Sequence, residues 1–159
     1  MVEFKQDMNI EIRKATAEES DLIADFQRKM AIETESKQLD RDTVAAGVRR
    51  VFEDPGRGFY ILAVDNDIPI GSLLITFEWS DWRNTQMWYI QSVYLLPEFR
   101  GQKIFSRMFD HVKFLANQTG VKVIRLYVET ENRHAQSVYE NLGMSKMPYW
   151  MYDIELDQE

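Results

Sequence analysis

The chain has 159 residues, of which 45% are hydrophobic and 13% aromatic, and this composition predicts one globular domain over residues 1–159. A formal net charge of −7 argues against non-specific binding to nucleic acid and favours a cationic partner. The sequence contains no cysteine and only two isolated histidines, so disulfides and thiolate metal sites are excluded and no metal centre is expected.

The N-terminal third predicts one strand followed by two helices. Apolar residues alternate with polar ones from Met8 to Ala15, which is typical of a strand. Thr16 and Glu19 have the spacing of a capping box, so a helix starts there. We expect a second helix, capped by Asp40 or Asp42, that ends at the next proline and glycine.

The middle of the chain predicts a β-hairpin. The segments from Gly58 to Val64 and from Ile68 to Trp79 are rich in β-branched and aromatic residues. The three residues between them, Asp65-Asn66-Asp67, have the chemistry of a tight turn. Gly71 lies inside the second strand, where a glycine indicates a bulge or a close contact with a neighbouring backbone.

A strand, a turn and a helix follow, and the rest of the chain is arranged around them. The strand begins near Tyr89 and stops at Pro97, which cannot donate to a sheet ladder. Apolar residues recur at helical spacing from Ile104 to Leu115. The turn between them, Arg100-Gly101-Gln102-Lys103, joins two cations to the unpaired amides of a helix start, which favours an anion site.

The C-terminal third predicts a buried strand from Val121 to Val128 and a short helix from Arg133 to Leu142. The segment from Lys146 to Leu156 predicts one or two closing strands. No stretch approaches the about 20 apolar residues of a membrane span, and the N-terminus does not have the pattern of a signal peptide. We therefore expect no membrane association and a cytoplasmic location.

The turn segment, PEFRGQKIF, resembles the acyl-CoA pyrophosphate loop of the GNAT superfamily of acetyl-CoA-dependent N-acetyltransferases. That loop has the pattern Arg/Gln-x-x-Gly-x-Gly/Ala, and Arg100 matches its first position. Lys103 and Phe105 replace the two expected small residues, and Phe105 continues the apolar stripe of the helix. A second stretch, in which Tyr139 follows Asn132 by two helical turns, resembles the family's late asparagine-to-tyrosine helix.

The resemblance covers nearly the whole chain and implies an α/β fold of the GNAT type. The implied architecture is a central mixed, mostly antiparallel, splayed sheet flanked by helices, in the order β-α-α-β-β-β-α-β-α-β-β. It also implies acetyl-CoA as the cosubstrate, with the pyrophosphate on the loop amides and the pantetheine arm beside the central strand. The expected contacts are Val93, Leu95, Arg100, Gly101, Gln102, Lys103, Ile104, Phe105, Ser106 and Asn132.

The resemblance further implies that Tyr139 protonates the departing thiolate. An amine with a pKa near that of lysine must first lose a proton, which costs about 4.6 kcal/mol at neutral pH, so a base would assist. Many family members carry a carboxylate on the central strand, and this chain has none there. Glu78 and Asp81 are the best replacements, although each is more often a solvated charge in a turn.

The acceptor site is predicted in the polar and aromatic segment that precedes the central strand. Trp79 and Trp82 could wall a pocket in which Asp81 pairs with an ammonium group, with Gln91 nearby on the strand. The alternative is that the two tryptophans cap the core while the aspartate pairs at the surface. The sequence leaves these two interpretations about equal.

These observations together predict an N-acetyltransferase that moves an acetyl group from acetyl-CoA to a primary amine of a small molecule in a ternary complex. The alternatives are a non-catalytic acyl-CoA-binding module and a protein or peptide N-acetyltransferase. A purely structural domain would require both motif matches to be accidental. The sequence leaves the identity of the amine and the oligomeric state open, a homodimer included.

Overall fold

The computed structural model describes residues 8–156, which form five strands and four α-helices. By contacts the chain divides into two compact units, one ending at Tyr127 and the other beginning at Val128. The predicted single domain therefore stays a prediction. The first unit contains β1 (Ile10–Lys14), α1 (Ser20–Glu35), α2 (Arg41–Glu53), β2 (Phe59–Asp65), β3 (Ile68–Ser80), β4 (Thr85–Leu95), α3 (Ile104–Gln118) and β5 (Ile124–Arg125). The second unit contains α4 (Arg133–Asn141).

The five strands form one mixed sheet in the order β1-β2-β3-β4-β5. The first three pairings are antiparallel, and the last, between β4 and β5, is parallel. Only two residue pairs join β4 to β5, namely Trp88 with Ile124 and Tyr89 with Arg125. The sheet is therefore mixed, mostly antiparallel and open between its last two strands, as predicted.

Each face of the sheet is covered by helices. On one face Tyr60 and Leu62 of β2 belong to a buried cluster with Ile23 of α1 and Val48 of α2. Successive side chains of a strand point to opposite faces, so the intervening Ile61 faces the other side. Its side chain is fully buried, and α3 contacts both β1 and β2. Helix α3 therefore covers the second face.

The helix starts follow the predicted capping chemistry. Thr16 and Glu19 form the predicted capping box, although a single 3-10 turn precedes α1. Glu19 also binds Arg13 of β1 at 2.6 Å, and the hydrogen bond from this guanidinium holds the pKa of Glu19 below its usual value. Of the two candidates for the second cap, Asp40 is the one used, because its carboxylate accepts the amide of Thr43 at 2.8 Å.

Gly71 makes the predicted close backbone contact. A Cβ atom at this position would lie 2.5 Å from the carbonyl oxygen of Tyr94 and nearer still to a side-chain carbon of Leu95. No larger residue could occupy this position unless β3 and β4 moved apart. The glycine thus allows the end of β4 to approach β3.

Two predictions about the C-terminal third are wrong in extent or in kind. The strand expected from Val121 to Val128 is reduced to β5, two residues long. The closing strands expected from Lys146 to Leu156 are not formed, and the aromatic side chains there, such as Tyr152, are exposed. Alternating side chains indicate which face a strand would bury, but a strand also needs a neighbour for its backbone hydrogen bonds.

Candidate active site

A β-bulge interrupts the central strand β4 near its C-terminal end. Ser72 of β3 pairs with Tyr94, whereas the residue two positions later in β3 pairs with Gln91. One residue of β3 therefore lies opposite two residues of β4, Ser92 and Val93. Ser92 has a φ of 52°, an uncommon left-handed conformation for a residue with a side chain. Bulges of this kind redirect backbone groups and are frequent beside active sites.

The bulge lies where β4 has separated from β5. In the part of the chain that the structure describes, the pairing of β4 with β5 ends at Tyr89, whereas β4 continues to Leu95. The edge of β4 that includes Val93 therefore borders the opening in the sheet. The carbonyl oxygen of Leu95 accepts a hydrogen bond from Arg100 at 2.9 Å, so within this structure it already has a donor.

The turn after β4 leads into the start of α3, whose first backbone amides have the chemistry that favours an anion. Gly101 and Lys103 adopt left-handed conformations, with φ of 73° and 60°, and α3 begins at Ile104. The backbone amide of Arg107 donates to the carbonyl oxygen of Lys103, and the amides before it belong to the unpaired first turn of the helix. The first turn of α3 contains no acidic residue, so nothing there would repel a phosphate.

Arg100 binds α1 and the end of β4. Its guanidinium forms a 2.6 Å ion pair with Glu33 near the end of α1, and Glu33 also accepts the hydroxyl of Tyr94 at 3.0 Å. The hydrogen bond from Arg100 lowers the pKa of Glu33, and burial followed by the contact with Glu33 raises the pKa of Tyr94 to about 12. Arg100 therefore helps to hold the turn against α1.

Sequence reasoning missed Glu33 as a member of the site. The sequence showed only that this glutamate lies in an acidic stretch that interrupts the apolar stripe of the first helix. Its partner Arg100 is 67 residues away in the chain, and no spacing rule joins positions so far apart.

The two departures from the loop pattern have different structural consequences. Lys103 takes the left-handed conformation that a glycine would adopt without steric cost. Phe105 stacks on Phe109 within α3, with 6.2 Å between ring centroids. Phe105 thus continues the packed side of the helix, and Lys103 is the residue that bears conformational strain.

Substitutions at Lys103 should report this strain. We expect Lys103→Val to lower the free energy of unfolding by about 1–2 kcal/mol, because a β-branched residue tolerates the left-handed region poorly. Lys103→Gly should equal or exceed the parent chain in stability. Urea unfolding of the three proteins measures the difference. Equal destabilisation by valine and glycine would contradict the conformational explanation.

The structure does not bring the tryptophan segment to the bulge. Trp79 pairs with Gln86, six residues from Ser92, which corresponds to about 20 Å along an extended strand. Asp81 and Trp82 lie still farther away, in the turn at the tip of the hairpin. There the carboxylate of Asp81 accepts the amide of Trp82 at 2.8 Å, and the indole of Trp82 is 93% exposed.

Glu78 lies on the same face of the sheet as Gln91. Glu78 pairs with Met87, and residues of β4 separated by an even number share a face. Its carboxylate lies 3.5 Å from the guanidinium of Arg125 in β5. Gln91 donates to the hydroxyl of Thr76 at 2.5 Å. Of the two predicted bases, Glu78 is thus the one that shares a face with the residue just before the bulge.

The second unit contains the other two predicted site residues. The side chain of Asn132 caps α4 by accepting the amide of Ala135 at 3.1 Å. Tyr139 lies two turns later on this helix and is partly buried. Burial raises its pKa above that of an ordinary phenol, so its hydroxyl is protonated at neutral pH.

The described residues contain no cluster of three or more acidic or histidine side chains that could hold a metal ion. Within the same residues, every helix is too short or too polar to cross a bilayer.

The site in the first unit fits an acyl-CoA. An anionic pyrophosphate would meet the amides of Gln102 and Ile104 at a helix start without acidic residues. A pantetheine arm has amide groups that can pair with an open strand edge, which β4 offers beside Val93. Both features lie at the same end of β4, and α3 begins nine residues after Leu95.

Comparison with known proteins agrees with this description. A sequence model of the acetyltransferase (GNAT) family matches residues 17–144 of the chain. Thialysine N-epsilon-acetyltransferase from Bos taurus is 34% identical over 74 residues, which is 46% of this chain and 43% of that protein. The chain thus spans less than half of the length of this relative.

Solved structures extend the match to nearly the whole chain. A protein of Clostridium difficile 630 described as a possible acetyltransferase is 39% identical, with a TM-score of 0.87 over 94% of this chain and 99% of that one. A predicted acetyltransferase from Clostridium acetobutylicum, solved with acetyl-CoA, is 20% identical, with a TM-score of 0.73 over 93% and 96% of the two chains. This second likeness shows the fold alone.

Proposed function

The chain belongs to the acetyltransferase (GNAT) family, and we propose that it transfers an acetyl group from acetyl-CoA to the primary amine of a small molecule. The observation that carries this proposal is the bulge at Ser92 and Val93, which lies beside the open edge of β4. The loop that follows β4 leads directly into α3, whose first turn contains no acidic residue. A site with these features can hold an extended thioester and its phosphates at once.

The backbone supplies most of the binding to acetyl-CoA in this proposal. Amides from Gln102 to Ser106 bind the pyrophosphate, and the positive end of the α3 dipole strengthens them. Lys103 adds a cation, whereas Arg100 acts mainly through its ion pair with Glu33, which holds the turn in place. The amide at Val93 binds the thioester carbonyl and stabilises the negative charge that develops there.

Acetyl-CoA supplies an activated acyl group, and side chains of the protein accept one proton from the amine and donate one proton to the thiolate. The amine must lose a proton, and Glu78 is the proposed base, acting through a chain of several waters because Met87, its partner in β4, is six residues from Val93. Six residues of a strand span about 20 Å, too far for direct transfer or for a single bridging water. Tyr139 is the proposed donor to the departing thiolate, and Asn132 orders the start of its helix.

The net charge of the protein and the name of the bovine relative both support an amine acceptor. The chain carries a net charge of −7, which attracts cationic molecules. The bovine relative is named for acetylating the ε-nitrogen of thialysine, and the match to it covers less than half of either chain. A non-catalytic acyl-CoA-binding module is the alternative, favoured by the absence of a carboxylate on β4.

Calorimetric titration with acetyl-CoA tests the cofactor half of the proposal. We expect Lys103→Glu to weaken binding about tenfold, because a charge-assisted contact with phosphate is replaced by repulsion. Lys113→Glu is the matched control, since Lys113 lies ten residues, or nearly three turns, further along α3 and pairs with Asp110. It makes the same change in net charge and should leave acetyl-CoA binding nearly unchanged.

A screen of primary amines for acetyl-CoA-dependent release of CoA tests the catalytic half. Release with at least one small amine supports the enzyme. Tight binding of acetyl-CoA without release for any amine or peptide would support the binding module instead. No heat of binding at millimolar acetyl-CoA would remove both functions.

A further inference from the structure

A cavity lies on the α3 face of the sheet, at the end of α3 opposite to the turn. Its volume is about 660 Å³, within the range of sites that hold drug-sized molecules. It lies between the tip of the β3–β4 hairpin and the C-terminal end of α3, and all of its lining residues belong to the first unit. The lining residues that matter below are Lys14, Phe59, Phe77, Trp79, Trp88 and Gln118.

Aromatic rings form much of the cavity wall. Phe59 contacts Trp88 edge to face, with 5.2 Å between ring centroids, and Phe77 lies 6.2 Å from each of these two rings. Trp79 is 61% exposed at the rim. Trp88 is buried behind this wall, so the half-buried rings of Phe59 and Phe77 and the exposed ring of Trp79 offer the contact surface for a flat aromatic ligand.

The charge of the cavity is opposite to that of the protein as a whole. The chain has 26 acidic and 19 basic residues, yet no carboxylate occurs among the described residues that line the cavity. Its one charged side chain is Lys14, whose ammonium nitrogen lies 4.3 Å from the centre of the Phe59 ring. A cation over an aromatic wall, without a competing carboxylate in the lining, favours an anionic ligand.

The position of α3 decides where a negative charge would lie. The cavity borders the last turn of α3, near Gln118, where the carbonyl groups carry partial negative charge. An anionic group is disfavoured there and favoured at the Lys14 side. The amide of Gln118 can instead hydrogen-bond a neutral polar group of the ligand.

This cavity is separate from the proposed acetyl-CoA site. The residues of β4 that line the cavity are Thr85, Gln86 and Trp88, whereas the bulge begins at Ser92 on the same strand. Helix α3 has 15 residues and is therefore about 22 Å long, and the cavity and the turn lie at its opposite ends. The two sites could be occupied at the same time.

We propose that this cavity binds a planar aromatic carboxylate, with its ring against Phe59, Phe77 and Trp79 and its carboxylate on the ammonium of Lys14. The aromatic walls supply most of the affinity and the lysine supplies the preference for an anion. This site is independent of the acetyl transfer proposed above.

Naphthoate and naphthamide are suitable probes, because they share a ring system and differ in the charge of one group. We expect calorimetry to show naphthoate binding at least about tenfold more tightly than naphthamide. Lys14→Met, which keeps the aliphatic stem, should remove that preference and leave naphthamide binding unchanged. Lys113→Met is the matched control on α3, and it should retain the preference.

The same titrations contain the results that would overturn the proposal. No naphthoate binding at millimolar concentration, or equal binding of the two probes, would exclude an aromatic-anion site. An unchanged preference in Lys14→Met would show that another cation binds the carboxylate. Saturating acetyl-CoA should leave naphthoate binding intact, and mutual exclusion would show that the probe occupies the acetyl-CoA site instead.

Discussion

Replacing Tyr139 with phenylalanine should lower kcat at least about 100-fold, the lower limit of what general acid catalysis supplies when chemistry is rate-limiting. The substitution removes one oxygen and keeps the ring, so the free energy of unfolding should change by no more than about 1 kcal/mol. Acetyl-CoA binding should survive, because backbone amides of the first unit carry most of it. Steady-state kinetics, urea unfolding and calorimetry measure these three quantities.

Tyr149→Phe is the matched control for this experiment. Tyr149 belongs to the same unit as Tyr139 and is 77% exposed, so loss of its hydroxyl should leave both activity and stability unchanged. Full activity in Tyr139→Phe would mean that water or another group protonates the thiolate. A large loss of stability with normal turnover per folded molecule would assign Tyr139 to packing.

Replacing Gly71 with alanine should lower the free energy of unfolding by about 3 kcal/mol, the upper range for overpacking a tight interior. The added methyl group would lie 2.5 Å from the carbonyl oxygen of Tyr94, which belongs to the backbone and cannot rotate away. The end of β4 must therefore shift, and the bulge two residues earlier shifts with it. We expect acetyl-CoA affinity to fall as well, by at least about tenfold.

Gly47→Ala is the matched control, because it makes the same chemical change where nothing lies within 4 Å. Gly47 is exposed inside α2, and alanine there should raise the free energy of unfolding by up to about 1 kcal/mol. Urea unfolding should thus show opposite signs for the two variants. A stable Gly71→Ala protein with unchanged acetyl-CoA affinity would contradict the close approach of β3 and β4.

Local chemistry was enough to predict most of the elements. The capping box at Thr16 and Glu19 and the cap at Asp40 form as predicted, because the groups involved lie within three residues of each other. Pro97 follows β4 within two residues and Gly120 follows α3, since proline and glycine constrain their own backbone. The position of the turn between β4 and α3 was predictable for the same reason.

Contacts between distant parts of the chain were not predictable from these rules. The ion pair of Arg100 with Glu33 joins residues 67 positions apart, and the bulge at Ser92 exists only because β3 and β4 pair in one register. The sequence suggested that Trp79 and the central strand's reactive end are neighbours, but the length of the hairpin separates Trp79 from the bulge. The aromatic cavity likewise combines residues of four strands and one helix.

The order and type of the elements thus follow from residue periodicity and from the chemistry of caps and turns, which act over a few residues. Pairing register, the separation of β4 from β5 and the partners of charged side chains depend on which segments meet in space. The C-terminal segment illustrates the limit, because its alternating pattern is suited to a strand but no neighbour in the described chain pairs with it. A strand forms only when a second segment supplies partners for its backbone hydrogen bonds, and the sequence of one segment does not identify that partner.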